Sequence, residues 1–194
     1  MSKTILYIAM SLDGYIAGPE ADLSWLDQFN DDETGLPDFD SEKEDNPYAW
    51  ELFFRSVGAI IMGRSTYDWE ISHGYGDVHP LPKFVLTHRP PDKDVREKVT
   101  FTDEPIGVVL EKAKSITDKH IWVEGGGIVA QQFIEEGLLD EMILFVAPVL
   151  LGGGIRLFGE SDSYKNFRLR KVRPLSGGLV QLEYTPINRS IQLH

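Results

Sequence analysis

The chain has 194 residues, no cysteine, and 31 acidic against 19 basic side chains, for a formal net charge of −12 and a pI near 4.8. These figures exclude disulfides and thiolate metal sites and argue against nucleic acid or an anionic membrane as a partner. Only about seven apolar residues precede Ser11–Leu12–Asp13–Gly14, too few for a membrane span or a signal peptide, so a cytoplasmic protein with a single domain over 1–194 is expected.

Thr4–Met10 is almost continuously apolar, as in a strand covered on both faces. Residues 11–24 are loop-like, with Gly14, Gly18 and Pro19, and Ala21–Phe29 has the length of a short helix. Segment 30–46 carries eight acids against one lysine and reads as an acidic loop insertion. Asn46 as cap and Pro47 at the first helical position predict a helix to about Val57. Strands follow at Ala59–Met62, Lys83–Thr87 and Val99–Thr102. A helix with Asp103 and Pro105 as start signals then places Ile106, Val109, Leu110, Ala113 and Ile116 on one face.

Ile121–Val123 is the next strand. It breaks at Gly125–Gly126–Gly127 and leads into a helix with Ile128, Val129, Phe133 and Ile134 at helical spacing, ended by Gly137. Glu141–Leu151 reads as a central strand closed by a second glycine triplet. Phe167–Val172 and Leu179–Thr185 alternate about a Pro174–Gly178 turn as a hairpin, leaving 186–194 as a tail. The order predicts an α/β fold: a mostly parallel central sheet with helices on both faces and an antiparallel C-terminal hairpin.

Gly125-x-Gly127-x-x-Ala130 fits the dinucleotide pattern, but it stands too late in the chain for a Rossmann unit. Two readings of the triplet stay open. It is either a turn needed only for packing or a place where phosphate meets backbone N–H groups at a helix N-terminus. Gly63–Arg64–Ser65–Thr66 and Thr87–His88–Arg89 also follow strands and supply cations, hydroxyls and backbone donors. Ligands of open α/β sheets gather at such strand ends, and Arg64 and Arg89 could grip a phosphate bidentately; the alternative is scattered surface arginines. Walker and G-x-S-x-G patterns are missing. His73, Asp77 and His79 lack the spacing of metal ligands and read as a polar loop, so no metal site is predicted.

The stretches MSLDGYIAG (10–18), AIIMGRSTYD (59–68), FVLTHRP (84–90) and IWVEGGGIVAQQFIEEGLLDEMILFVAPVLLGGGIRLFG (121–159) resemble the dihydrofolate reductase-like superfamily. Within it they are most similar to the branch holding the riboflavin-biosynthesis reductase, the RibD C-terminal domain. The resemblance implies an NADPH cofactor held at Gly63, Arg64, Ser65, Thr66, Thr87, His88, Arg89, Gly125, Gly126 and Gly127, with a cis Gly125–Gly126 peptide. It also puts Ala9 and Ile16 beside the nicotinamide, and implies a homodimer. The slot for the acid that dihydrofolate reductases carry holds Pro47, and Tyr7 and Leu6 stand where the riboflavin enzymes have a lysine. A stand-alone relative with a changed substrate is expected.

Asp13 and Glu124 are the candidate catalytic acids, although an Asp-Gly turn and a backbone-bonding acid are the respective alternatives. Trp50, Phe53 and Phe54 are candidates for the substrate pocket or, equally, for the core. The expected function is reduction of a pyrimidine- or pteridine-type small molecule at a CH–NH or CH–OH group. The alternative is a non-catalytic nucleotide- or antifolate-binding protein that keeps the cleft.

Overall fold

The computed structural model describes residues 2–29, 46–75, 80–89, 96–161 and 164–187. The acidic segment 30–45, Asp77, His79 and residues 188–194 of the predicted tail lie outside the described residues. The strands are β1 (Thr4–Ser11), β2 (Tyr15–Ala17), β3 (Val57–Gly63), β4 (Lys83–Leu86), β5 (Val99–Thr102), β6 (His120–Gly125), β7 (Glu141–Ala147), β8 (Ile155–Arg156), β9 (Phe167–Pro174) and β10 (Val180–Pro186). The α-helices are α1 (Trp50–Ser56), α2 (Arg64–Ser72), α3 (Ile106–Ser115) and α4 (Gly127–Glu135). Among them, none is long and apolar enough to cross a membrane.

Eight strands form one sheet in the order β5-β4-β3-β6-β1-β7-β10-β9. From β5 to β7 all pairings are parallel; β10 and β9 are antiparallel. The predicted fold class is therefore the observed one. Alternate residues of each central strand face opposite cores, which is why these strands read as unbroken apolar runs. Leu6, Ile61, Ile121 and Val123 pack with α3 and α4 through Val109, Leu110, Ala130 and Phe133. Ile5, Ile60, Met62 and Trp122 pack on the other face with Phe53 of α1 and Tyr67 of α2.

Several boundaries differ from the sequence expectation. The helix predicted from Pro47 begins at Trp50, with Ala49 preceding it and no side-chain cap. Asn46 is buried and engaged elsewhere: its amide exchanges hydrogen bonds with Gln181 of β10 (2.8 and 3.2 Å), and its Oδ1 accepts from Tyr48 N. Ala21–Phe29 contains a 3-10 helix at Ser24–Phe29 rather than a longer helix. The strand predicted to Leu151 stops at Ala147, where Pro148 follows and Val149 N turns back to Ala147 O. Helix α2 and the short pair β2–β8 had no clear periodic signal. Helix α4 ends as expected, with Gly137 in the left-handed region at φ +67°.

Phe133 of α4 is fully buried against the β6 face. Phe133→Ala should lower the unfolding free energy by about 3–5 kcal/mol, read as a lower urea midpoint at unchanged m-value.

Candidate active site

A cleft of about 1200 Å³ runs along the carboxyl ends of the parallel strands, where open α/β sheets place their ligands. Two helices start on its wall. Helix α2 begins directly after β3, so Gly63, Arg64, Ser65 and Thr66 line it. Helix α4 begins after the glycine turn, so Gly126, Gly127, Ile128 and Val129 line it too. Neither helix start is capped by a side chain, which leaves backbone N–H donors and the positive ends of two helix dipoles facing one space.

The glycines serve both packing and access. Gly125 has φ +113° and the Gly125–Gly126 peptide is cis. A Cβ at Gly126 would fill the gap between Thr66 Oγ1 (3.5 Å) and Ile16 Cδ1 (3.6 Å). At Gly127 a Cβ would come within 2.2 Å of the Arg156 carbonyl oxygen, so that residue must be glycine for β8 to lie against α4. Gly127 is thus a packing glycine, while Gly126 leaves a gap at the cleft wall.

At the far end of the cleft, Thr87 and His88 follow β4, and Thr102, Asp103 and Glu104 follow β5. Glu104 accepts hydrogen bonds there from Lys112 and Thr102, and these lower its pKa. Arg64 is partly engaged. Its Nε donates to Asp68 Oδ1 (2.7 Å), its Nη1 to the Arg89 carbonyl (3.2 Å), and its guanidinium lies 5.3 Å from the Phe101 ring centre.

The opposite end is aromatic. Trp50 lines it with Tyr7, Trp122, Trp69 and Tyr75. Trp50 sits edge-on to Trp122 (5.6 Å) and stacks on Phe54 (5.5 Å), while Trp69 and Tyr75 stack at 5.6 Å. Glu124 enters this chamber from β6 through a register shift. Ile61 pairs with Val123 and Met62 with Gly125, so Glu124 is the extra residue of a bulge, a device that re-aims a side chain. Its Oε2 is closed to solvent and has no hydrogen-bond partner. Desolvation first, then the charge of Glu70 from α2, push its pKa well up. Glu70 in turn accepts from Lys83 Nζ at 2.6 Å, and both side chains are buried.

Of the predicted residues, Ala9, Ile16, Gly63, Arg64, Ser65, Thr66, Thr87, His88, Gly126, Gly127, Trp50 and Glu124 converge on the cleft. Gly125 and Arg89 do not line it; Arg89 is exposed and presents its carbonyl to Arg64. Phe53 is a correction: it is fully buried and stacks on Tyr7 at 4.0 Å, so it is core. Phe54 supports Trp50 from behind without lining the cleft. His73 is held by its own helix, with Nδ1 2.9 Å from the Trp69 carbonyl. Sequence reasoning missed Glu70, Lys83 and Arg156. The signal available for Lys83 was a lysine inside an apolar strand.

The profile of the RibD C-terminal domain family matches residues 2–181. This chain belongs to the RibD C-terminal domain family. The Bacillus subtilis (strain 168) uncharacterized protein YwjB is 34% identical over 183 residues, spanning 94% of this chain and 97% of that one. A solved structure from Shewanella sp. PV-4, itself assigned to riboflavin biosynthesis, is 28% identical, covers 96% of this chain and 99% of that chain, and superposes with a TM-score of 0.75. The fold is also shared with a Thermotoga maritima diaminohydroxyphosphoribosylaminopyrimidine deaminase/5-amino-6-(5-phosphoribosylamino)uracil reductase. That likeness has 16% identity and a TM-score of 0.66, and it covers 96% of this chain and 57% of the other.

In this RibD C-terminal domain the loop after β1, which carries the candidate catalytic acid Asp13, is tied down. Asp13 Oδ1 accepts from Ser11 Oγ (2.6 Å) and Leu151 N (3.1 Å), and its Oδ2 accepts from Gly152 N (2.7 Å). Strand β2 pairs with β8, and Leu157 N donates to Gly14 O (3.0 Å). Asp13 is absent from the cleft lining; its carboxylate is a brace, and the Asp-Gly turn is its role. The Ser11 hydroxyl, helped by the two backbone donors, lowers its pKa to about 2.

A carboxylate whose pKa is depressed by folding stabilises the fold above its unfolded value and loses that contribution as pH falls through the folded value. Asp13→Asn should therefore melt at a lower temperature than wild type at neutral pH. The gap should close as pH falls from 3.8 toward about 2, as followed by thermal unfolding.

Proposed function

We propose that this chain is an NADPH-dependent reductase that passes a hydride to a pyrimidine- or pteridine-type acceptor, at a C=N or an opened-sugar C=O. One observation carries the reading: a single cleft joins two uncapped helix N-termini to an aromatic chamber lined by a carboxyl, Glu124, with one oxygen closed to solvent and without a hydrogen-bond partner. The first end suits phosphates and the second suits a flat heterocycle that needs a proton.

The residues present fit the cofactor. Backbone donors at Gly63–Thr66 and Gly126–Val129 would hold its phosphates, Thr87, His88 and Arg64 would meet the 2′-phosphate end, and Ala9 and Ile16 would flank the ring. Glycine at 126 keeps open the gap that a Cβ would fill. When bound, the nicotinamide supplies the hydride that no side chain can supply. Trp50, Trp122 and Tyr7 would orient the acceptor and exclude water. Glu124, whose protonated form is favoured by desolvation and by the Glu70 charge, would donate the proton to the acceptor's nitrogen or oxygen.

Direct titration tests the cofactor assignment, which fails if the folded protein binds neither NADPH nor NADH below millimolar concentration. Arg64→Ala should weaken NADPH by about 10–100-fold, the scale of one charge-assisted contact, and NADH by less. Equal losses would remove Arg64 from the 2′-phosphate. Glu124→Gln should lower kcat by about 10²–10⁴-fold with little change in cofactor Kd. Tight NADPH binding without oxidation, across pterin and ribosylaminopyrimidine acceptors, would instead establish the binding-protein reading.

A further inference from the structure

The buried Lys83–Glu70 ion pair has no evident stability rationale. Its side chains are 2% and 5% exposed, and a buried pair of this kind is often no more stabilising than apolar residues of the same volume. What distinguishes it is the third group. Lys83 comes from β4, Glu70 from α2 and Glu124 from the β6 bulge; the two carboxyls line one cleft, and the Glu70 charge bears on Glu124. An ionised carboxylate with an oxygen closed to solvent and given no donor is costly, and Glu124 Oε2 is such an oxygen, so one of the two carboxyls keeps a proton. One ammonium then balances one carboxylate, and the cluster is neutral.

Which carboxyl keeps the proton is set by geometry. Lys83 Nζ lies 2.6 Å from Glu70 Oε2, so Glu70 is the ionised member. Glu124 keeps an oxygen without a partner and lines the aromatic chamber. The charged groups that bear on Glu124 are Glu70 and Lys83. From the other walls come Trp50 of α1, Tyr7 of β1 and Trp69 and Tyr75 from the α2 side, and the Tyr7 hydroxyl is committed to the Tyr48 carbonyl at 3.1 Å.

We propose that Glu70 and Lys83 are positioning residues that keep one proton on Glu124, the acid that faces the acceptor. The role in turnover rests on the reductase reading above; the location of the proton does not. In the reduction, the acceptor carbon gains two electrons with the hydride supplied by the reduced nicotinamide. The O–H bond of Glu124 breaks, its proton passes to the acceptor's nitrogen or oxygen, and its electron pair stays on the carboxylate. Two carboxylates then face one ammonium, an unfavourable charge state in a closed site, so Glu124 recovers a proton from water before the next turnover.

Infrared spectroscopy of the full-length protein at neutral pH tests this without any turnover. The wild type should show a protonated-carboxyl C=O band that Glu124→Gln removes. In Glu70→Gln the Lys83 ammonium loses Glu70 and bears on Glu124; Glu124 should ionise, the band should vanish, and kcat should fall by about 10²-fold. In Lys83→Met the two carboxyls share their proton without that ammonium. The band should then persist and the alkaline limb of the kcat profile should move to higher pH. A pair with a merely structural role would lower stability in both variants and move neither the band nor the limb. A wild-type spectrum without the band, or a band that survives Glu124→Gln, overturns the proposal, even if the ion-pair variants fail to fold. A band that behaves as expected in a protein that oxidises no NADPH supports the proton's location and overturns the reductase reading.

Discussion

The parallel register of β3, β6 and β1 is the constraint on which the rest of the molecule depends. Strand β6 is bonded on both sides and covered on both faces, by α3 and α4 below and by α1 and α2 above. In that setting, strand ends and helix starts fall at one level, so Gly63 and Gly126 open into the same space. The bulge at Glu124 is tolerable only because the flanking pairs Ile61–Val123 and Met62–Gly125 are held by the sheet. The site's precision comes from the scaffold rather than from the loops around it.

An acidic chain that is to bind a polyanion must concentrate its positive potential. Here much of that potential is backbone: two helix N-termini converge on one cleft, and their donors are not consumed by caps. The side-chain cations near the cleft are moderated. Arg64 is held by Asp68, while Arg156 lies over the Tyr15 ring at 4.5 Å. Helix dipoles need no counter-charge and add nothing to net charge, so a protein at −12 can still offer an anion site.

Most of the frame was legible in the sequence because each two-face-covered strand is an apolar run and each long helix repeats its apolar face. That logic located β1, β6, β7 and α4, with Gly137 as the stop. It failed for α2, whose nine residues bury only Tyr67 and Glu70, one of them an acid. It also missed β2 and β8, three and two residues long. The glycines, Thr66 and Glu124 were legible in the site because each is adjacent in sequence to the turn that presents it. Glu70 was not, and Lys83 showed only as a lysine in an otherwise apolar strand, since an ion pair across 13 positions leaves no local pattern that joins its members. Asp13 was legible as a turn residue, and its acceptor geometry toward Gly152, 139 residues away, could only come from the fold.

That last contact sets the unit in which this protein can be altered. The loop after β1 and the loop after β7 share Asp13, the β2–β8 pairing and the Gly14–Leu157 hydrogen bond, and Gly154 is so close to the first loop that a Cβ there would meet the Ala17 carbonyl at 2.2 Å. Neither loop has an independent shape. An exchange of residues 11–18 that removed the Asp13 carboxylate would take away the acceptor of Leu151 N and Gly152 N. The two segments, more than a hundred residues apart in the chain, form one heritable module at the mouth of the cleft.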